Sequence, residues 1–258
     1  MDITEYNRQA WDGYVERGSE WTIGVGPEEI ERARNGEWQI ILTPLKPVPR
    51  SWFPTELHEK KVLGLASGGG QQGPILAAAG ASVTILDNSP RQLERDRQVA
   101  QREGLTIATV QGLMEDLSMF EDASFDLIVH PVSNLFTPNV RNVWKEASRV
   151  LKRGRAILSG FLNPAQFLFD LNAMDRGEFI VKNKLPYNDL THLSTEALEK
   201  HLNDKQAIEF GHTLEDLIGG QIEAGLMITG FYEDGWTKEA NALSQYMDIF
   251  IATRAVKI

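Results

Sequence analysis

Residues 62–73, "VLGLASGGGQQG", decide how this chain folds, because apolar and small residues suited to a strand run straight into a cluster of glycines. Glycines between a strand and a helix let a ligand approach the main chain, and the first N–H groups of the helix offer it partial positive charge. Gly68, Gly70 and Gly73 satisfy G-x-G-x-x-G, and Asp87 follows Gly68 by nineteen residues, close to the dinucleotide spacing. A nicotinamide or flavin enzyme is therefore one reading. In that fingerprint, however, apolar residues run up to the first glycine, whereas Gly64 and Ala66 stand before Gly68 here. A strand ending near Leu65, followed by a small-residue turn over residues 66–70, suits a ligand whose carboxylate and amine lie across the loop. Asp87, at the tip of the next strand, is placed to accept hydrogen bonds from two ribose hydroxyls.

From Lys60 onward strands alternate with helices. "KKVLGLA", "ASVTILDNS", "LTIATVQG", "SFDLIVHP" and "RAILSGF" read as strands; "QQGPILAAAG", "SPRQLERDRQVAQREG" and "VRNVWKEASRVLKRG" read as helices. Ser89 is the expected N-cap of the second helix, with Pro90 at its first position. "LMITGFYEDG" and "DIFIATRAV" are strands with no helix of real length between them, so they are expected to pair antiparallel. The fold class predicted is α/β: a doubly wound, mostly parallel seven-stranded sheet with an antiparallel last strand and helices on both faces. Residues 1–59, helical and aromatic at first and then broken by prolines, are expected to form an N-terminal helical cap on an α/β domain spanning 60–258. Within that domain, residues 163–211 form an expected substrate-side insert, with helices in "NPAQFLFDL" and "STEALEKHLND" and a hairpin in "GEFIVKNKLPYND".

Composition narrows the functional classes. The 258 residues are 42% hydrophobic and 24% charged, ordinary for one globular domain. With 26 Lys and Arg against 36 Asp and Glu, the formal charge of -10 repels phosphate backbones, and no basic and aromatic strip invites nucleic acid. The absence of cysteine excludes disulfides, thiolate zinc sites and thiol nucleophiles. His192, His201 and His212 are scattered without i,i+4 pairing, so no metal site is expected. No segment approaches eighteen apolar residues, and the start lacks a basic region followed by an apolar one. A cytoplasmic chain with no membrane partner is the expectation.

In order and spacing, these motifs resemble the class I S-adenosylmethionine-dependent methyltransferases of the small-molecule type, across residues 60–161. The family's first motif, apolar-apolar-acid-apolar-G-x-G-x-G, overlays Val62 to Gly70: two of its glycines fall on Gly68 and Gly70, the first on Ala66, and its acid on Gly64. Ser67 and Gln71 stand where polar contacts to the methionyl tail are needed. Asp87 matches the ribose-binding acid, and Asn88 and Ser89 follow it on the adenine side. "GLMEDLSMFEDASFDLIVHP" resembles the third and fourth motifs, which places Asp116 near the adenine amino group with Glu115 and Leu117 as neighbours. His130, just past the fourth strand, falls at the methyl end, where it either closes the crevice wall or takes a proton as the candidate catalytic residue. Tyr6, Trp11 and Trp21 are expected to cover the cofactor, with packing in the core of an amphipathic helix the alternative for Tyr6 and Trp11. The resemblance implies S-adenosyl-L-methionine as cofactor, S-adenosyl-L-homocysteine as product, and a small-molecule methyl acceptor attacked by in-line displacement. An NAD(P)-dependent oxidoreductase and a non-catalytic cofactor-binding protein on the same fold are the alternatives.

Overall fold

The computed structural model describes residues 1–174, 176–237 and 239–258. Helix α1 (Ile3–Arg17) begins where the Asp2 side chain accepts the Glu5 N–H, and it stops at Gly18 in the left-handed conformation. Helix α2 (Pro27–Arg34) has proline at its start, acids in its first turn and arginines in its last, each favourable to the helix dipole. Then come β1 (Lys61–Leu65), α3 (Gln72–Ala78), β2 (Ser82–Asp87), α4 (Pro90–Glu103), β3 (Ile107–Gln111), β4 (Phe125–His130), α5 (Val140–Val150) and β5 (Leu151–Leu162). The insert carries α6 (Leu171–Met174), β6 (Tyr187–Asn188), α7 (Asp189–His192), α8 (Thr195–Asn203) and β7 (Phe210–Gly211). After α9 (Gly220–Glu223), β8 (Leu226–Asp234) and β9 (Phe250–Lys257) end the chain.

The sheet runs β3-β2-β1-β4-β5-β9-β8. The first five strands are mutually parallel, while β9 lies antiparallel between β5 and β8. This is the doubly wound sheet with the antiparallel last strand that the sequence implies. Strand side chains alternate between two cores, as the period of two requires. Val62, Val83, Ile85, Leu127, Val129 and Leu158 face the layer formed by α2, α3 and the proline-broken segment bearing Trp52 and Phe53. Leu63, Leu65, Leu86, Ile128 and Ile157 face α5, whose Val140, Val143, Trp144, Ala147 and Val150 sit on one side of the helix. Trp144 is fully buried, and its indole N–H donates to the Asp216 carbonyl at 3.0 Å.

The expected hairpin in "GEFIVKNKLPYND" does not form. Val181 instead bridges Phe169, and Tyr187–Asn188 pairs antiparallel with Phe210–Gly211, so the insert is tied end to end. Pro186 has no N–H to donate to a ladder, and register here is set by distant partners. A third apolar cluster of Met174, Leu243, Ile249 and Phe250 anchors the insert to the start of β9. Among the described residues no helix is long and apolar enough to cross a membrane.

Candidate functional site

Between β1 and β4 the chain switches direction across the sheet, and the crevice at that switch point is where open α/β sheets take ligands. A cavity of about 320 Å³ lies there, large enough for a drug-sized ligand. Its floor is the turn after β1 and the ends of β2 and β4, and its roof includes Thr4, Asn7 and Trp11 of α1 with Trp21.

The glycine cluster is explained by what presses on it from both sides. A Cβ on Gly68 would stand 2.7 Å from Gln92 Cβ and 3.0 Å from Asp87 Oδ2. Gly69 (φ 118) and Gly70 (φ 74) adopt conformations that disfavour side chains, wedged between the Trp21 carbonyl and α4. The Val25 N–H donates to the Gly70 carbonyl at 2.9 Å, and the Gln71 amide donates to the Glu20 and Ile23 carbonyls at 3.1 and 3.2 Å. The N-terminal segment is thereby laced onto the loop. Gly64 has no room for the acid of the resembling motif, because a Cβ there would lie 2.3 Å from Ser67 Oγ and 2.5 Å from Ile85 Cδ1. The acid that reaches the loop is Asp96 of α4, 0% exposed, whose Oδ2 accepts the Gly69 N–H at 3.0 Å. Burial pushes the Asp96 carboxyl up to about 8, although the Gly70 and Gly69 N–H groups pull the other way.

Asp87 lies at the tip of β2 on the cavity wall. The Gly68 N–H donates to its Oδ2 and the Ser89 N–H to its Oδ1, both at 2.9 Å. These two bonds fix the carboxylate and leave each oxygen a free lone pair. Burial raises its pKa to about 6, against the pull of the Ser89 and Gly68 N–H groups. Asn88 donates to the Thr4 carbonyl at 3.0 Å, and the Ser89 hydroxyl donates to Asp12 Oδ1 at 2.6 Å while capping α4. Both residues thus bind α1 to the sheet at the cavity mouth. Ser67 Oγ and Gln92 Oε1, on wall residues, are buried without a hydrogen-bond partner, and Ser67 Oγ is turned toward Gly64.

Of the residues singled out in the sequence, Ala66, Ser67, Gly68, Gln71, Asp87, Asn88, Ser89 and Glu115 line the cavity. Gly64, Gly70 and Leu117 stand behind it; Leu117 is fully buried in the α5 core. Asp116 is exposed and off the wall, with its Oδ1 accepting the Ser118 N–H at 3.0 Å in a local turn. Leu113, Met114 and Glu115 take the wall position instead, a shift of register in a segment with no period to fix it. His130 also lies off the cavity lining. It is 0% exposed, its Nδ1 donates to the Leu65 carbonyl at 2.8 Å, and its Nε2 faces the Asn134 side-chain amide. Burial lowers its pKa, so the ring is a neutral brace between β4 and β1, away from the cavity wall. Trp11 and Trp21 do cover the cavity, whereas Tyr6 does not reach it. Sequence reasoning missed the far wall: Gln166, Glu209, Trp236 and Asn241. Glu209 alone left a trace, as an acid inside the apolar stretch "AIEF".

Among the described residues no group of His, Cys, Asp and Glu could hold a metal ion. Residues 63–158 match a family model described as a methyltransferase domain. The uncharacterized methyltransferase YbaJ of Bacillus subtilis (strain 168) is 54% identical over 256 residues, 99% of each chain. A sarcosine/dimethylglycine N-methyltransferase of Halorhodospira halochloris is 34% identical over 137 residues, covering 52% of this chain and 45% of that one. Among solved structures, an S-adenosylmethionine-dependent methyltransferase from Mesorhizobium loti superposes with a TM-score of 0.62 at 17% identity, over 80% of this chain and 94% of that one. The similarity to YbaJ runs the length of the chain, and with the sheet order it makes this protein a member of the class I S-adenosylmethionine-dependent methyltransferases.

Proposed function

We propose that the cavity under α1 holds S-adenosylmethionine with its ribose hydroxyls on Asp87, its base beside Asn88 and residues 113–115, and its methionyl tail along Ala66, Ser67 and Gly68. The fixed Asp87 carboxylate carries this reading, since its outward lone pairs suit a pair of hydroxyl donors. When bound, the cofactor supplies a methyl group on a positively charged sulfur, open to in-line attack by a small-molecule acceptor. The chain's own residues then have three tasks. Asp87, Asp96 and Gln71 keep the loop in shape. Trp11 and Trp21 exclude water from above. The wall opposite the loop orients the acceptor.

Gly64, Gly70 and Leu117 shape the site from behind, and neither Asp116 nor His130 takes part. Within residues 1–59, α1 and the turn over residues 20–25 act as the cap, while residues 163–211 supply the acceptor side. The same reading assigns the chain to the cytoplasm; recovery in a membrane or secreted fraction would overturn that. Calorimetric titration of cofactor-stripped protein with S-adenosylhomocysteine tests the site, with NADH as control. Micromolar binding is expected, weakened at least about 100-fold in Asp87→Ala through loss of two charge-assisted bonds. Tight NADH binding without S-adenosylhomocysteine binding would refute the assignment.

A further inference from the structure

The acceptor side of the cavity contains one group that the fold does not use. Glu209 sits just before β7, between the buried Ile208 and Phe210, and is partly accessible along the cavity wall. Its backbone is held firmly. The Glu209 N–H donates to Asp189 Oδ2 at 2.7 Å, and the preceding Ile208 N–H donates to Asn7 Oδ1 at 2.8 Å. Asn7 returns its own amide to the Ile208 carbonyl at 3.0 Å and to the Phe136 carbonyl at 3.1 Å. The Glu209 carboxylate itself has no hydrogen bond or ion pair to any described residue. Arg8 lines the same cavity, but its guanidinium is taken by Glu5 and Asp12. Asp189, the carboxylate nearest in the structure's hydrogen bonding, is occupied by the Tyr187 hydroxyl at 2.8 Å.

A half-buried carboxylate on a cavity wall with no cation beside it is poorly compensated, which points to a partner that arrives with a ligand. Burial, reinforced by the negative charge of Asp189, pushes the Glu209 carboxyl up to about 8, the response of an acid in a site that lacks its cation. Beside the Gln166 and Asn241 amides, of which Asn241 donates to Gln166 Oε1 at 3.2 Å, the lining there is apolar and aromatic, with Phe136, Leu162, Trp236 and Phe250. Trp11 stands edge-to-face against Phe136 at 5.2 Å, and Trp236 does so against Phe250 at 5.6 Å. Aromatic faces with one free carboxylate recognise a cationic nitrogen on an apolar body.

Resting on the cofactor assignment above, we propose that Glu209 is the acceptor-binding residue and that the methyl acceptor is a hydrophobic or aromatic amine, bound through its ammonium group. The same contact prepares the nitrogen. An ammonium has no lone pair; when its N–H bond breaks and the proton passes to a Glu209 oxygen, the electron pair stays on nitrogen as the nucleophile.

The test uses full-length protein saturated with S-adenosylhomocysteine, titrated calorimetrically with 2-phenylethylamine, tryptamine and n-hexylamine and with the matching alcohols. Each amine is expected to bind at least about tenfold more tightly than its alcohol. In Glu209→Gln that preference is expected to vanish while the affinity for S-adenosylhomocysteine stays unchanged, which also shows that the variant is folded. Equal binding of amines and alcohols by the unmodified protein, or an amine preference that survives in Glu209→Gln, would overturn the proposal. Failure of both proteins to bind S-adenosylhomocysteine would refute the cofactor assignment, and this inference with it, before any acceptor is compared.

Discussion

Ala66 stands at φ 47, a left-handed conformation that an alanine adopts at a cost of roughly 1–2 kcal/mol relative to glycine. It occupies the position of the motif's first glycine, and residues on either side already hold the turn. Replacement by glycine relieves the strain but adds freedom to the unfolded chain, so Ala66→Gly is expected to gain about 0.5–1 kcal/mol of stability. Urea unfolding measures this, and a lowered midpoint would contradict it. Single residues were legible in the sequence where geometry is local. Asp87 was readable because a strand end fixes it, and Ser89 because a cap has a signature. The outward turn of Asp116 was not legible, because the segment after β3 is neither strand nor helix and no period fixes which side chain turns inward. The burial of His130 was not legible, because it depends on Leu65 and Asn134, whose proximity only the folded sheet creates.

At the scale of elements, the glycine loop after β1 is held by an acid from α4. Gly64 leaves the loop without the expected acid, and Asp96 reaches it from the adjoining helix. This has a pH signature. Asp96 is held at about 8, Glu209 at about 8 and Asp87 at about 6, each above its unfolded value of 3.8 or 4.5. The folded protein therefore binds more protons than the unfolded chain between those limits, and stability falls as pH rises. The melting temperature of cofactor-free protein is expected to drop from pH 5 to pH 8, by at least about 2–4 °C for each kcal/mol involved. Asp96→Asn keeps an acceptor for the Gly69 N–H but cannot ionise, so its decline should be shallower. A melting temperature that rises over this range, or an unchanged slope in the variant, would show that the acid is not held as described. The sequence could not reveal this contact, since Asp96 reads as one polar residue of a charged amphipathic helix until α4 packs on the loop.

In the molecule as a whole, the alternation of strands with helices made the sheet and its antiparallel last strand legible, because period-two burial and crossover length constrain topology strongly. The insert was far less so. Its elements are two to nine residues long, and their pairing depends on partners in α1, β9 and each other. The far wall of the cavity is built from that insert and from Trp236 and Asn241 between β8 and β9, which is why the loop side of the cavity was readable and the far wall was not. The measurement that tests the central claim most directly is a crystal structure of the protein with S-adenosylhomocysteine. The account predicts ribose density against Asp87, base density between Asn88 and Glu115, tail density along Ala66 to Gly68, and His130 untouched beneath the wall. Density outside this cavity, or a ligand that reaches His130 while leaving Asp87 free, would contradict it.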